Sequence, residues 1–337
     1  MALRQSSPEE PGWTRRRSGK GFSWRDADGH LLGPADRDRA KALVIPPAWE
    51  DVWVCADPNG HLQAVGTDAA GRRQYLYHPQ WRAQRDAEKF ERSLAFGQAL
   101  GRARGLVSKH LADEDVTARR ACAVAFRLLD RGSFRIGSDV YADENGSFGL
   151  TTLRPDHVRL SKGVLTFDFV GKSEVEHHVE VDDPDVIDAI CTMRRRRSAK
   201  GTLLAYRDGS VWRQLAPEAV NDYIRQVTRL DVTAKDFRTW HGTLVAAATL
   251  GLAGPRSSEK EQQVEIRGAV QAAADLLGNT PALARSAYVD PRVLTAYEEG
   301  RVVPAACARR ALGDVARLRP LELALLKLIR AGEAVAA

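Results

Sequence analysis

The feature of this sequence that most constrains its fold is a change of texture at Pro79. From about residue 12 to 85, short pieces rich in aromatic and β-branched residues, Gly21-Phe22-Ser23-Trp24 and Val52-Trp53-Val54-Cys55-Ala56, are punctuated by Asp-Gly, Pro-Asn-Gly and Ala-Gly turns. That is the pattern of short strands joined by tight reversals. After Pro79, from about 84 to 111, Phe90, Leu94, Leu100, Val107 and Leu111 recur at helical intervals among charges. A domain boundary between 80 and 90 follows. We place a small strand-rich domain at 1–85 and a mainly helical domain at 86–337, and 337 residues suffice for each to bury its own core.

The second domain begins with a further helix over 117–130, opened by Thr117 as N-cap. Segments 147–153, 157–169 and 174–181 read as a small antiparallel sheet in which Leu165, Phe167 and Phe169 alternate onto one face. From Pro184 helices dominate, at about 184–195, 216–228, 233–250, 258–277, 281–287, 291–299 and 319–331. The expected class is α+β, with a minor antiparallel sheet in the helical part.

Composition narrows the function classes. Lys and Arg number 50 against 44 Asp and Glu, a formal charge of +6 that suits a nucleic-acid partner without requiring one. Two basic runs, Arg15-Arg16-Arg17 and Arg194-Arg195-Arg196-Arg197 with Lys200, read first as solvated helix ends or loops and second as phosphate contacts. Cys55, Cys122, Cys191 and Cys307 lie far apart with no Cys-x-x-Cys pair, which points to neither a zinc site nor a disulfide framework. The expected compartment is the cytoplasm. No apolar stretch follows the N-terminal charges, and nowhere do 18 apolar residues run uninterrupted, so neither a standard secretion signal nor a membrane span is expected.

Four stretches place phosphate-compatible groups at defined points. In Ser133-Phe134-Arg135-Ile136-Gly137, Arg135 sits between apolar residues, where a guanidinium needs a phosphate or carboxylate partner. Phe169-Val170-Gly171-Lys172-Ser173 looks like the end of a nucleotide-binding P-loop, but Thr166 stands where that motif needs glycine, and a strand follows where it needs a helix. Lys172 fits a β-hairpin tip instead, either solvated or delivering an ammonium into a groove as a proton donor. In Lys235-Asp236-Phe237-Arg238-Thr239-Trp240-His241, Arg238 and His241 lie one helical turn apart, placed to face one ligand or to form a surface pair.

The fourth stretch is Leu277-Gly278-Asn279-Thr280-Pro281 running to Ser286-Ala287-Tyr288. Thr280 and Pro281 start a short helix that ends near Tyr288, holding a phenol at a defined distance from Asn279. The phenol is then either packing or a nucleophile. His177 and His178 point to opposite faces of a strand and make a poor metal pair, while Asp182, Asp183 and Asp185 fit a solvated turn. Metal-free phosphoryl transfer remains chemically coherent, with no nucleotide and no cofactor.

In their order, the Phe-Arg-Ile-Gly, Val-Gly-Lys, Lys-Asp-Phe-Arg-Thr-Trp and Gly-Asn-Thr-Pro-Ala to Ser-Ala-Tyr segments resemble the type IB DNA topoisomerases, specifically the compact poxvirus-type group found also in bacteria. The resemblance implies that Tyr288 attacks a DNA phosphodiester to form a 3′-phosphotyrosyl bond and release a 5′-hydroxyl. Arg135 and Arg238 would hold the nonbridging oxygens. Lys172 would protonate the departing oxygen, and Asn279, where viral and nuclear members usually have histidine, would orient the phosphate without carrying a proton. In the first domain, Gln74-Tyr75-Leu76-Tyr77 resembles the family's major-groove segment, so Gln74, Tyr75 and Tyr77 are DNA-contact candidates, and Tyr141 is another.

The implied protein is a monomeric clamp around duplex DNA, nucleoid-associated in the cytoplasm, that relaxes supercoils without ATP or metal. Two rivals remain. A site-specific tyrosine recombinase shares the chemistry, but the first domain is strand-rich and the His-x-x-Arg block is missing, since Arg238 precedes His241. A noncatalytic architectural DNA binder would bind in a salt-sensitive way and form no covalent adduct.

Overall fold

In a computed structural model, described over residues 3–137, 146–196, 201–313 and 318–336, the chain divides into two compact units, Met1–Lys89 and Phe90–Ala337. The first carries β1 (Gly12–Ser18), β2 (Gly21–Arg25), α1 (Pro34–Ala42), β3 (Glu50–Cys55), β4 (Leu62–Thr67) and β5 (Arg73–Tyr77). The five strands form one sheet in the order β2-β1-β3-β4-β5, every neighbouring pair antiparallel. Trp13, Trp24, Val52, Val54 and Ala64 bury on it together with Ala40 and Ile45. Helix α1 has no apolar period, and Ala40 is its one buried residue, which is why pattern reading passes over it.

Arg15 departs from both readings of its run. Its guanidinium donates to the carbonyls of Ile45 (3.1 Å), Pro46 (3.0 Å) and Trp49 (2.6 Å) and lies over the Phe22 ring, so it ties the sheet to a loop. Arg196 is likewise internal, donating to the carbonyls of Leu203 (3.1 Å) and Thr202. Arg194 and Arg195 are exposed, while Arg197 and Lys200 lie outside the described residues.

Helix α2 (Pro79–Leu111) begins at Pro79, earlier than its apolar spacing suggests, and the division between the units falls within it. Helix α3 (Ala118–Gly132) starts on Thr117, whose hydroxyl accepts from the Arg120 amide at 3.2 Å, and ends on Ser133 in the left-handed region. Residues 147–153 form no strand. Gly149 packs so closely on Gly137 that a Cβ there would lie 2.4 Å from its Cα, and Leu150–Thr152 makes a single 3-10 turn. Its amides at Leu150 and Thr151 donate to the carbonyls of Arg135 and Ile136, so the segment props the Arg135 loop instead of extending the sheet.

The stretch 157–169 splits into β6 (Val158–Ser161) and β7 (Val164–Val170) because Lys162 and Gly163 both take positive φ, as a two-residue hairpin turn requires. With β8 (Glu176–Val181) they give a three-stranded antiparallel sheet, and Leu165, Phe167 and Phe169 share its buried face. Asp183 is not in a solvated turn: it is 3 % exposed, caps the following helix, and pairs with Arg127 and Arg131.

The rest is helical: α4 (Pro184–Arg194), α5 (Pro217–Thr228), α6 (Ala234–Ala253), α7 (Glu259–Leu277), α8 (Pro281–Ala287), α9 (Pro291–Glu298), α10 (Ala305–Gly313) and α11 (Arg319–Ala336). A hairpin of β9 (Ala205–Asp208) and β10 (Val211–Gln214) interrupts it. Helix α6 runs through the core, where Phe237 stands edge-on to Phe96 and Phe126, and Trp240 fills the notch left by Gly97 on α2. Beside Trp240, Arg104 bridges two buried carboxylates, Asp130 (2.8 Å) and Glu322 (2.7 Å).

Candidate active site

Arg238 is set one turn into α6, whose start is fixed by a capping box between Thr233 and Asp236. Only 4 % exposed, it donates to the carbonyl of Ser133 at 2.9 Å and to that of Leu277 at 2.6 Å. Those carbonyls end α3 and α7, and helix C-termini carry the unsatisfied oxygens and partial negative charge that a buried guanidinium needs. These carbonyls therefore hold it without neutralising it. Burial first, then the charge of Arg135, brings the Arg238 guanidinium down to about 10, with Tyr288 acting in the opposite direction.

Arg135 is half-buried in the loop after α3. Its Nη2 donates to Asn279 Oδ1 (3.0 Å) and the Gly278 carbonyl (3.2 Å), while its Nη1 is buried with no partner. Burial lowers its pKa as well. Asn279 sits where α7 ends in a Schellman turn: Gly278, at φ +57, donates to the Asp275 carbonyl and Asn279 to that of Ala274. Because the Asn279 Oδ1 accepts from Arg135, its Nδ2 faces away, buried and unpartnered.

Thr280 then caps α8 through the Leu283 amide, with Pro281 in the first turn, and Tyr288 closes the helix by donating to the Ala284 carbonyl. Helix α6 grips the tyrosine backbone from behind. Thr243 Oγ1 donates to the Tyr288 carbonyl at 3.1 Å, and a Cβ on Gly242 would stand 3.0 Å from that same oxygen. The Arg238 Cζ lies 5.5 Å from the centre of the Tyr288 ring. Lys172 is exposed in the turn between β7 and β8. Arg135, Lys172, Asn279 and Tyr288 together line a cleft of about 660 Å³ with Val175, Ala274, Asp275, Gly278, Thr280 and Leu283.

His241 does not share this cleft. Its Nδ1 lies 3.2 Å from Ser133 Oγ and its Nε2 3.9 Å from Asp130 Oδ1, and it borders a separate apolar cavity of about 240 Å³ with Leu244, Val245 and Leu276. Arg238 and His241 thus serve different surroundings. In the first unit, Tyr75 and Tyr77 are exposed and stack at 6.2 Å, while the alternating Leu76 packs on the core, the reverse of a buried aromatic pair. Gln74 is held by Asp68 at 2.9 Å. Tyr141 lies outside the described residues.

Asp26, Asp28 and His30 cluster on the surface, but the Asp26 Oδ1 accepts from the amides of Asp28 and His30, which makes the group a turn. No helix among the described residues is long and apolar enough to cross a membrane. Sequence reading missed Gly242, Thr243 and His177 beside the cleft. Of these, only the small pair Gly242-Thr243 within an apolar helix carried a signal.

Residues 78–300 match the family model of the eukaryotic DNA topoisomerase I catalytic core, and 21–68 that of the bacterial DNA topoisomerase IB N-terminal domain. The chain is 29 % identical to the DNA topoisomerase 1B of Acanthamoeba polyphaga mimivirus over 84 % of its own length and 87 % of that protein. It is 25 % identical to the DNA topoisomerase 1B of vaccinia virus (strain Copenhagen), over 75 % and 76 %. With the DNA topoisomerase 1 of Schizosaccharomyces pombe it shares 28 % identity over half of this chain and 20 % of that protein.

Proposed function

The chain belongs to the type IB DNA topoisomerase family, and we propose that it relaxes supercoiled duplex DNA through a phosphotyrosine formed on Tyr288. In this reading the Tyr288 oxygen gives up its proton to water and bonds to the scissile phosphorus while the bond to the 5′-oxygen breaks. Lys172 supplies a proton to that 5′-oxygen, because an alkoxide leaves poorly near neutral pH. Arg135 and Arg238 neutralise the nonbridging oxygens as charge builds in the transition state, and Asn279 donates to one of them. The strand then rotates and the 5′-hydroxyl attacks in reverse. One phosphodiester has been exchanged for another, so resealing needs no ATP, and with the charge held by arginines no metal is required.

One observation carries this reading. Two buried donors, Arg135 Nη1 and Asn279 Nδ2, have no partner, and they belong to the cleft that Tyr288 lines. A buried donor left unpaired costs about 1–3 kcal/mol. Phosphate oxygens would satisfy both. In the first unit the exposed Tyr75 and Tyr77, with Gln74 beside them, supply the corresponding groove contacts, and the units act as a monomeric clamp. Residues 1–85 would then serve DNA binding and 86–337 catalysis.

The test is relaxation of a supercoiled plasmid in EDTA without ATP. Tyr288→Phe should abolish it while DNA binding survives. A protein that binds DNA yet relaxes nothing would be an architectural binder, and strand exchange between two sites would make it a recombinase.

A further inference from the structure

The ring of His177 lies between the turns that present Lys172 and Asn279. On β8 it sits opposite Phe169 and stacks on it, ring centres 5.0 Å and planes 17° apart. One edge reaches Gly171, where a Cβ would lie 2.6 Å from the His177 Cδ2 and 2.7 Å from its Nε2. Another reaches Gly278, where a Cβ would lie 3.2 Å from Cε1. Each glycine immediately precedes a site residue, Gly171 before Lys172 and Gly278 before Asn279. The neighbouring His178 has an ordinary surface role, paired with Asp168 at 2.7 Å.

The Lys172 turn is a 3-10 turn, Lys172–Glu174, flanked by a bond from the Gly171 amide to the Val175 carbonyl at 2.8 Å, and Glu174 takes a positive φ within it. Between the turn and the end of α7 lies the His177 ring, with Val175 Cγ1 beside it at 3.3 Å from the Gly278 Cβ position. We propose that His177 is a positioning residue for DNA cleavage, its flat ring bracing the Lys172 turn against the Asn279 turn and so setting where the lysine ammonium meets the leaving oxygen. The role is one of shape. Burial, and then the charges of Arg135 and Arg238, favour the neutral imidazole. The inference rests on Lys172 as the proton donor.

The test compares single-turnover cleavage of two duplexes, one with the ordinary 5′-oxygen at a mapped cleavage site and one with sulfur in its place. A thiolate departs without a proton, since thiols ionise near pH 8.5. His177→Ala should slow cleavage of the oxygen duplex by about tenfold or more and leave the sulfur duplex within about threefold of wild type. His177→Phe, which keeps a flat ring, should stay within about threefold on both.

A rate for His177→Ala equal to wild type on oxygen overturns the proposal, as does an equal loss on both duplexes. A His177→Phe defect as large as that of alanine does so too, because it would make the imidazole chemical. Lys172→Ala separates the two levels. If sulfur restores Lys172→Ala but not His177→Ala, only the bracing role falls; if it restores neither, the proton-donor assignment falls and this inference with it.

Discussion

Replacing Asn279 by alanine should separate activity from stability. The side chain does two things: its Oδ1 accepts from Arg135 at 3.0 Å, and its Nδ2 is buried without a partner. Alanine removes the donor that would meet the phosphate, and the loss of one such preorganised donor costs about 10²-fold in rate, or about 2.7 kcal/mol. Arg135 keeps the carbonyl of Gly278 at 3.2 Å and should hold its position. On folding the two effects oppose. Deleting an unpaired buried donor relieves about 1–3 kcal/mol, while losing a bond to a charged group costs about 1.5–3 kcal/mol. The unfolding midpoint should therefore hardly move. Asn279→Asp keeps an acceptor for Arg135 but turns a carboxylate oxygen toward the phosphate, so its loss should exceed that of alanine. Asn279→His keeps a donor and should cleave faster than alanine. The assay is single-turnover cleavage of a duplex whose released strand cannot religate, with urea unfolding in parallel. An alanine variant within about threefold of the wild-type rate, or an aspartate variant as fast as wild type, would refute the assignment.

Three further outcomes follow from the geometry. Arg104→Met leaves Asp130 and Glu322 buried without the guanidinium that bridges them, which should cost about 3–5 kcal/mol in urea unfolding; a loss below about 1 kcal/mol would contradict it. His177 has a lowered pKa in the folded chain, from burial first and then Arg135 and Arg238, whereas the unfolded chain takes the proton near pH 6.5. Its contribution to stability is thus present above that pH and lost as pH falls through the folded value, so wild type should lose more stability than His177→Phe between pH 7.5 and 5; parallel urea midpoints would show otherwise. Tyr75→Ala with Tyr77→Ala should change stability by no more than about 0.5 kcal/mol each, because both rings are exposed, yet weaken DNA binding in a fluorescence titration; unchanged affinity would remove them from the interface.

Much of the helical unit is legible because its signals are local. Proline stands in the first turn of α4, α5, α8 and α9, and Thr117, Ser258, Thr280 and Asp290 cap their helices as their side chains predict. What stayed hidden depends on packing at a distance. Helix α1 shows a polar face all round, and the turn at 150–152 exists because Gly149 meets Gly137 across the Arg135 loop. At the site, residue types and order announce Arg135, Lys172, Arg238, Asn279 and Tyr288. They do not announce that Arg238 hangs on two helix C-termini, or that His241 turns toward Ser133 and Asp130. Nor does the sequence reveal that the His177 ring occupies space left by two glycines more than a hundred residues apart in the chain.

The claim that decides the rest is that Tyr288 becomes covalently bound to DNA. Denaturing the protein during turnover, digesting the adduct and mapping the modified peptide by mass spectrometry tests it directly. A single adduct is expected, through the Tyr288 oxygen to a 3′-phosphate, with a 5′-hydroxyl on the opposite end of the break. An adduct on any other residue, a 5′-phosphate linkage, or relaxation by Tyr288→Phe would contradict it.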